Sequence, residues 1–256
     1  MASITARRVL VVAGLGAGSG TGASAARVFS KAGYSVALVA RGADTVNNLA
    51  QELNSAGGDA APFPVEAYSP NDIRNVWMSI RAKYVAPTYS IDAAVFNIGQ
   101  GVWKPFLEVT PEDIRTSLEL NVEAAFAFSR EAILTFKENK ISEDKGKRGT
   151  LIFTGATASL RGNTTTSAFA AGKSGLRALS QSLAKEFGKE NIHVAHAIID
   201  GGILTERLSS YRPEIANNPD ARLSPNSIAE SYLYLVNQDR SSWTWELDLR
   251  PAHEKW

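Results

Sequence analysis

Five glycines at alternate positions, Gly14, Gly16, Gly18, Gly20 and Gly22, directly follow the apolar run Val9-Leu10-Val11-Val12-Ala13. A strand that turns through glycine into a helix makes a phosphate cradle. Glycine permits positive φ and lets the backbone approach a pyrophosphate, while the free N–H groups and dipole of a helix beginning near Gly22 favour the negative charge. The expected contacts are Gly16, Ser19, Gly20, Thr21 and Gly22. The same glycines argue against a different reading of this end of the chain. Arg7-Arg8, the apolar run and Ala23-Ser24-Ala25 imitate a secretory signal, yet so many glycines would be wasteful in a signal core and too flexible for a membrane helix. We expect a cytoplasmic chain that does not enter a membrane.

The remaining sequence alternates short β-branched apolar runs with longer amphipathic stretches, the pattern of a parallel sheet covered by helices on both faces. Strands are expected at 9–14, 35–40, 62–65, 91–97, 150–154, 192–199 and 245–249, and helices at 22–32, 45–55, 71–83, 111–137 and 166–187. The expected class is therefore α/β, one domain over 1–256 with about seven parallel strands. The segment 138–148 is highly charged and reads as a solvated loop, and 203–225, rich in proline toward its end, reads as a loop or lid over a pocket.

Lys and Arg number 27 against 26 Asp and Glu, a net charge of +1, so no large field points to nucleic acid or an anionic membrane. The chain has no cysteine, which excludes disulfides, thiolate nucleophiles and cysteine-bound metals. His193 and His196 on one strand would point to opposite faces, so no metal centre is expected.

Eighteen residues past Gly22, where an acid would hold the ribose hydroxyls of NAD, stand Ala40 and Arg41. No carboxylate there repels a 2′-phosphate, and the Arg41 guanidinium could pair with one. NADP(H) is therefore preferred over NAD(H).

With these residues in place the chain resembles the short-chain dehydrogenase/reductase family over nearly its whole length. Gly16, Gly20 and Gly22 match the family's glycine turn, with Leu15 in place of its leading threonine. Phe96-Asn97-Ile98-Gly99 resembles the Asn-Asn-Ala-Gly segment, keeping Asn97 and Gly99. Glu66 stands where the family has an aspartate touching the adenine. Thr110-Pro111-Glu112-Asp113 and Asn121-Val122 resemble the entry and the catalytic asparagine of the long fifth helix. Asp200-Gly201-Gly202-Ile203-Leu204-Thr205 resembles the segment that embraces the nicotinamide, which would add Ile203 and Thr205 to the cofactor contacts. The resemblance implies a Rossmann-type doubly wound fold and a homodimer or homotetramer.

The centre of the site departs from the family. Its tyrosine and lysine, spaced Tyr-x-x-x-Lys, correspond here to Phe169 and Lys173, and its serine thirteen residues earlier corresponds to Ala156. Phenylalanine has no proton to give, and alanine offers no hydroxyl to a developing oxyanion. What remains is Asn121 and Lys173, the lysine expected to hold the nicotinamide ribose, to donate a proton directly or through a water held by Asn121, or both. Replacement groups could come from Thr157, Ser159, Ser167, Tyr211 or Asp200. Trp103, Phe106 and Phe169 could be pocket walls for an apolar substrate or simply core.

Three functions remain open: an NADP(H)-dependent reductase of a carbonyl, enone or imine with a non-standard proton donor, a cofactor-binding protein without turnover, and a non-redox enzyme such as an isomerase or cyclase using the same pocket.

Overall fold

The computed structural model describes residues 6–211 and 218–254. Seven parallel strands, β1 (Arg7–Ala13), β2 (Ser35–Arg41), β3 (Asp59–Val65), β4 (Tyr89–Phe96), β5 (Gly149–Thr154), β6 (Ile192–Ile199) and β7 (Glu246–Leu249), form one sheet in the order β3-β2-β1-β4-β5-β6-β7. The order reverses between β1 and β4, so a crevice opens beyond their C-terminal ends, where open α/β sheets bind ligands. β3 lies at one edge, which explains how it carries Pro62 and Pro64: an edge strand can do without the ladder donors that proline lacks.

The central strands are apolar on both sides because both faces are covered. Val9, Val11 and Phe96 face one core with Trp77, Phe128 and Leu176, from α3 (Pro70–Lys83), α5 (Ala124–Glu138) and α6 (Ser167–Phe187). Leu10, Val12 and Leu38 face a second core with Phe29, Leu49 and Tyr232, from α1 (Thr21–Lys31), α2 (Ala43–Ser55) and α8 (Pro225–Asn237). The doubly wound expectation holds, with each strand near its expected place.

Three differences matter. The single helix expected over 111–137 is broken: α4 (Pro111–Leu118) passes through a π-helical turn, Glu119–Glu123, before α5. Its start falls at Pro111 as expected, and Thr110 and Asp113 form a reciprocal capping box ahead of it. α8 was not anticipated, although Ser224 caps it, Pro225 fills its first turn, and Ile228, Ala229, Tyr232, Leu235 and Val236 make one buried stripe. Within the expected loop 203–225, α7 (Glu206–Tyr211) forms a short helix and Ile203 bridges Leu223, whereas residues 212–217 and the Tyr211 side chain lie outside the described residues.

Candidate active site

The glycine turn is built by close backbone approach. Gly14 has φ +95°, and a Cβ there would come within 2.7 Å of the Asn97 carbonyl and Ile98 nitrogen. A Cβ on Gly22 would stand 2.1 Å from the Gly14 oxygen. The Asn97 side-chain amide donates to that same oxygen at 2.6 Å, so Asn97 pins the end of β1 to the end of β4. Leu15 is fully buried in the core, which accounts for an apolar residue at that position. Gly16 and Gly18, both at positive φ, then swing the chain outward. Arg27, which the sequence reading did not single out, braces the turn: it donates to the Gly18 oxygen at 2.9 Å while a two-pronged pair with Glu52 holds its guanidinium.

The residues present fit an anionic cofactor end. α1 starts at Thr21 with no side chain capping it and no acid in its first turn. Among the described residues the buried Thr21 hydroxyl has no partner, and a Cβ on Gly20 would meet nothing nearer than Thr205 Cγ2 at 3.9 Å. Thr205 thus reaches over the turn, its hydroxyl accepting from the Leu208 N–H at 3.2 Å. Arg41 is exposed at the end of β2, its guanidinium 5.2 Å from the centre of the Tyr68 ring. Glu66 is exposed just past β3.

Across the crevice, Asn121, Lys173 and Gly99 converge. Asn121 sits in the π-helical turn, fully buried, and its amide donates to Ser117 O at 2.9 Å and Gln100 O at 3.2 Å. In an uninterrupted α-helix Ser117 O would accept from the backbone N–H of residue 121. Asn121 Oδ1 has no partner among the described residues. A Cβ on Gly99 would stand 2.9 Å from that oxygen and 3.0 Å from Lys173 Nζ, so the two polar atoms face the space that the missing side chain leaves. Lys173 is 5% exposed, donates to Thr154 O at 2.9 Å, and burial pushes its ammonium down to about 8.

Phe169 lies one turn earlier on α6, with Lys173 Nζ 6.0 Å from its ring centre and Trp103 packed on it at 5.4 Å. Trp103 and Phe106 are 67% and 76% exposed, so neither is core. Two of the alternative hydroxyls, those of Thr157 and Ser159, are engaged elsewhere. Ser159 donates to Ala156 O at 2.6 Å, with His196 Nε2 3.3 Å away. Thr157 donates to Asp200, and Ser167 is exposed in the first turn of α6. Asp200 is buried but not an isolated acid: Arg250 and Arg161 stand 3.1 and 3.7 Å from it. Those two arginines lie far from Asp200 in sequence and carried no local signal. His193 and His196 do fall on opposite sides of β6, stacked on Trp243 and beside Ser159 respectively.

The short chain dehydrogenase family matches residues 8–216. The 7alpha-hydroxysteroid dehydrogenase of Escherichia coli is 30% identical over 236 residues, covering 89% of this chain and 87% of its own. The 3-oxoacyl-[acyl-carrier-protein] reductase of Bos taurus is 27% identical over 229 residues, covering 88% and 90%. A short-chain dehydrogenase from Rhodopseudomonas palustris superposes with a TM-score of 0.76 at 31% identity, over 96% of this chain and 98% of that one. With the glycine turn, the strand order and these relatives in agreement, the chain belongs to the short-chain dehydrogenase family of oxidoreductases.

Proposed function

We propose that this enzyme is an NADP(H)-dependent reductase of an apolar carbonyl, enone or imine, in which Lys173, directly or through a water held by Asn121, supplies the proton instead of a tyrosine. The observation that carries the reading is the convergence of Lys173 Nζ and Asn121 Oδ1 on Gly99, beside Phe169. The cofactor, when bound, supplies the hydride. Gly16, Ser19, Gly20, Thr21 and Gly22 hold its pyrophosphate against the start of α1, Arg41 takes the 2′-phosphate, Glu66 faces the adenine, and Asn97 keeps the turn in shape. Gly99, Ile203 and Thr205 flank the nicotinamide end. Lys173 holds the ribose and, with an ammonium that burial brings to about 8, can release a proton near neutral pH. Asn121 Oδ1, lacking a partner, can hold a water between the lysine and the substrate.

Ala156 and Phe169 leave the reacting oxygen without hydroxyl donors, which favours substrates that need little protonation as hydride arrives, an iminium or a conjugated enone. Trp103, Phe106 and Phe169 give the pocket an aromatic rim suited to an apolar molecule. Ile114, Leu118, Phe126 and Leu134 are exposed on α4 and α5, which supports a homodimer or homotetramer packed through these helices. The reading takes 1–256 as one nucleotide-binding domain with 203–225 over its pocket, in the cytoplasm. Among the described residues no helix is long and apolar enough to cross a membrane.

Phe169 and Ala156 also favour a second reading, a cofactor-binding protein without turnover. One experiment separates the two: titration with NADPH and NADH by fluorescence, followed by cofactor oxidation over ketones, enones and imines. Tight NADPH binding with turnover that Lys173→Ala abolishes is expected. Binding without turnover, even after Ala156→Ser with Phe169→Tyr, would leave the second reading, and no binding of either cofactor would overturn both.

A further inference from the structure

At the end of the sheet opposite the glycine turn, a cavity of about 410 Å³ opens between the end of α6, the start of β6 and the segment leading into β7. That volume falls within the roughly 300–1,000 Å³ of small-molecule sites. β6 is eight residues long, so roughly 25 Å of strand separates this cavity from the nucleotide crevice.

Its walls are flat rings and its charges have one sign. The His193 ring lies parallel to the Trp243 indole, at 10° with centres 5.0 Å apart. His193 Nε2 meets Thr244 O at 2.9 Å, and burial holds the imidazole down to about 4, so at neutral pH it is an uncharged ring. Lys185 Nζ stands 5.9 Å from the centre of the Trp245 ring. The stem of Arg240 lies against Gly146, where a Cβ would come within 2.5 Å of Arg240 Cδ. Both cations are without a salt bridge among the described residues. The adjacent Asp239 carboxylate is engaged by the Ser241 N–H and hydroxyl, at 2.9 and 2.6 Å. Among the described residues no acidic side chain lines the cavity, and the buried Trp243 Nε1 donor has no partner there.

We propose that this cavity is a second binding site, for a flat aromatic carboxylate. Lys185 and Arg240 meet the carboxylate, and the indoles of Trp243 and Trp245 pack on the ring. Two cations outside any salt bridge among the described residues, set among aromatic rings, select against a ligand cation of the same shape. The proposal does not depend on the reductase reading, because none of these residues belongs to the nucleotide crevice.

The test is calorimetric titration of the full chain, with and without NADPH, using 2-naphthoate and the matched cation 2-naphthylmethylammonium. Binding of naphthoate, with the cation at least tenfold weaker, is expected in both conditions. Lys185→Glu with Arg240→Glu should weaken naphthoate at least tenfold while the NADPH titration is unchanged, and Trp245→Ser should weaken it with the charges intact. Because Lys185 and Arg240 are surface side chains, circular dichroism should show both variants folded. Naphthoate binding that survives these variants, equal binding of the cation, or no binding at all would overturn the proposal. So would sedimentation showing that Trp245→Ser splits an oligomer while naphthoate fails to bind, since the face would then be a contact between copies.

Discussion

Lys173 Nζ lies 6.0 Å from the centre of the Phe169 ring, one turn away on the same face of α6, with nothing ionisable on the ring to share its charge. A phenol on that ring would stand beside a cation that favours its phenolate, which is what makes a tyrosine useful near neutral pH. Phe169→Tyr together with Ala156→Ser should therefore raise the reduction rate of simple ketones by about 10²–10⁴, read as NADPH oxidation. An unchanged rate in a folded, cofactor-binding variant would mean that the pocket is not arranged for carbonyl reduction.

The buried Lys173 ammonium also sets a pH dependence. Its ordinary value of 10.5 falls to about 8 in the fold because burial disfavours the charge. Between those values the unfolded chain holds a proton that the folded chain has released, so this residue's contribution to stability rises with pH across the window and is at its worst below about 8. The full difference is of order 3 kcal/mol. Denaturation of wild type and Lys173→Met at pH 7.5 and pH 10 should show the variant gaining relative stability at the lower pH. In the reduction direction, wild-type turnover should fall as pH rises through about 8 if this lysine supplies the proton. A stability difference that does not move with pH would rule out the buried-charge account.

The parts of this architecture visible in the sequence are those set by local chemistry. The glycines after β1, the helix start at Pro111 and the apolar strands each act within a few residues, and each appears where expected. The π-helical turn at Asn121 was hidden because its residues fit an ordinary helix, and the departure shows only in how the side chain meets Ser117 and Gln100. Arg250 on Asp200 joins positions that the fold alone brings together, as does Arg27 on Gly18. Trp103 and Phe106 were ambiguous between wall and core because apolarity alone does not report exposure.

Gly20 and Gly22 should fail differently when given a methyl group. At Gly22 the new Cβ would lie 2.1 Å from the Gly14 oxygen, a backbone atom that cannot step aside without separating β1 from α1. Gly22→Ala should cost about 1–3 kcal/mol or more, seen as a lower melting temperature, and lose cofactor binding with it. Gly20 has φ −92°, ordinary for alanine, and open space out to 3.9 Å. Gly20→Ala should keep the melting temperature and weaken NADPH at least tenfold, about 1.4 kcal/mol, because the methyl would occupy the space where the pyrophosphate must approach. Normal NADPH affinity in Gly20→Ala would place the phosphates elsewhere.

The proposed preference for NADP(H) rests on Arg41. Its guanidinium is exposed beside Tyr68, close enough for the ring face to hold it at the end of β2, and the burial of Tyr68 raises that phenol so that the ring stays neutral at physiological pH. A charge-assisted bond to a 2′-phosphate is worth about 1.5–3 kcal/mol, and reversing the charge adds repulsion to that loss. Arg41→Glu should therefore weaken NADPH by about 10²-fold while NADH changes little, since a glutamate there can accept from the ribose hydroxyls that NAD leaves free. The pair of titrations is the measurement, because the ratio of the two affinities cancels any general disturbance of the crevice. A ratio that stays constant would remove Arg41 from the cofactor site, and with it the preference for NADP(H).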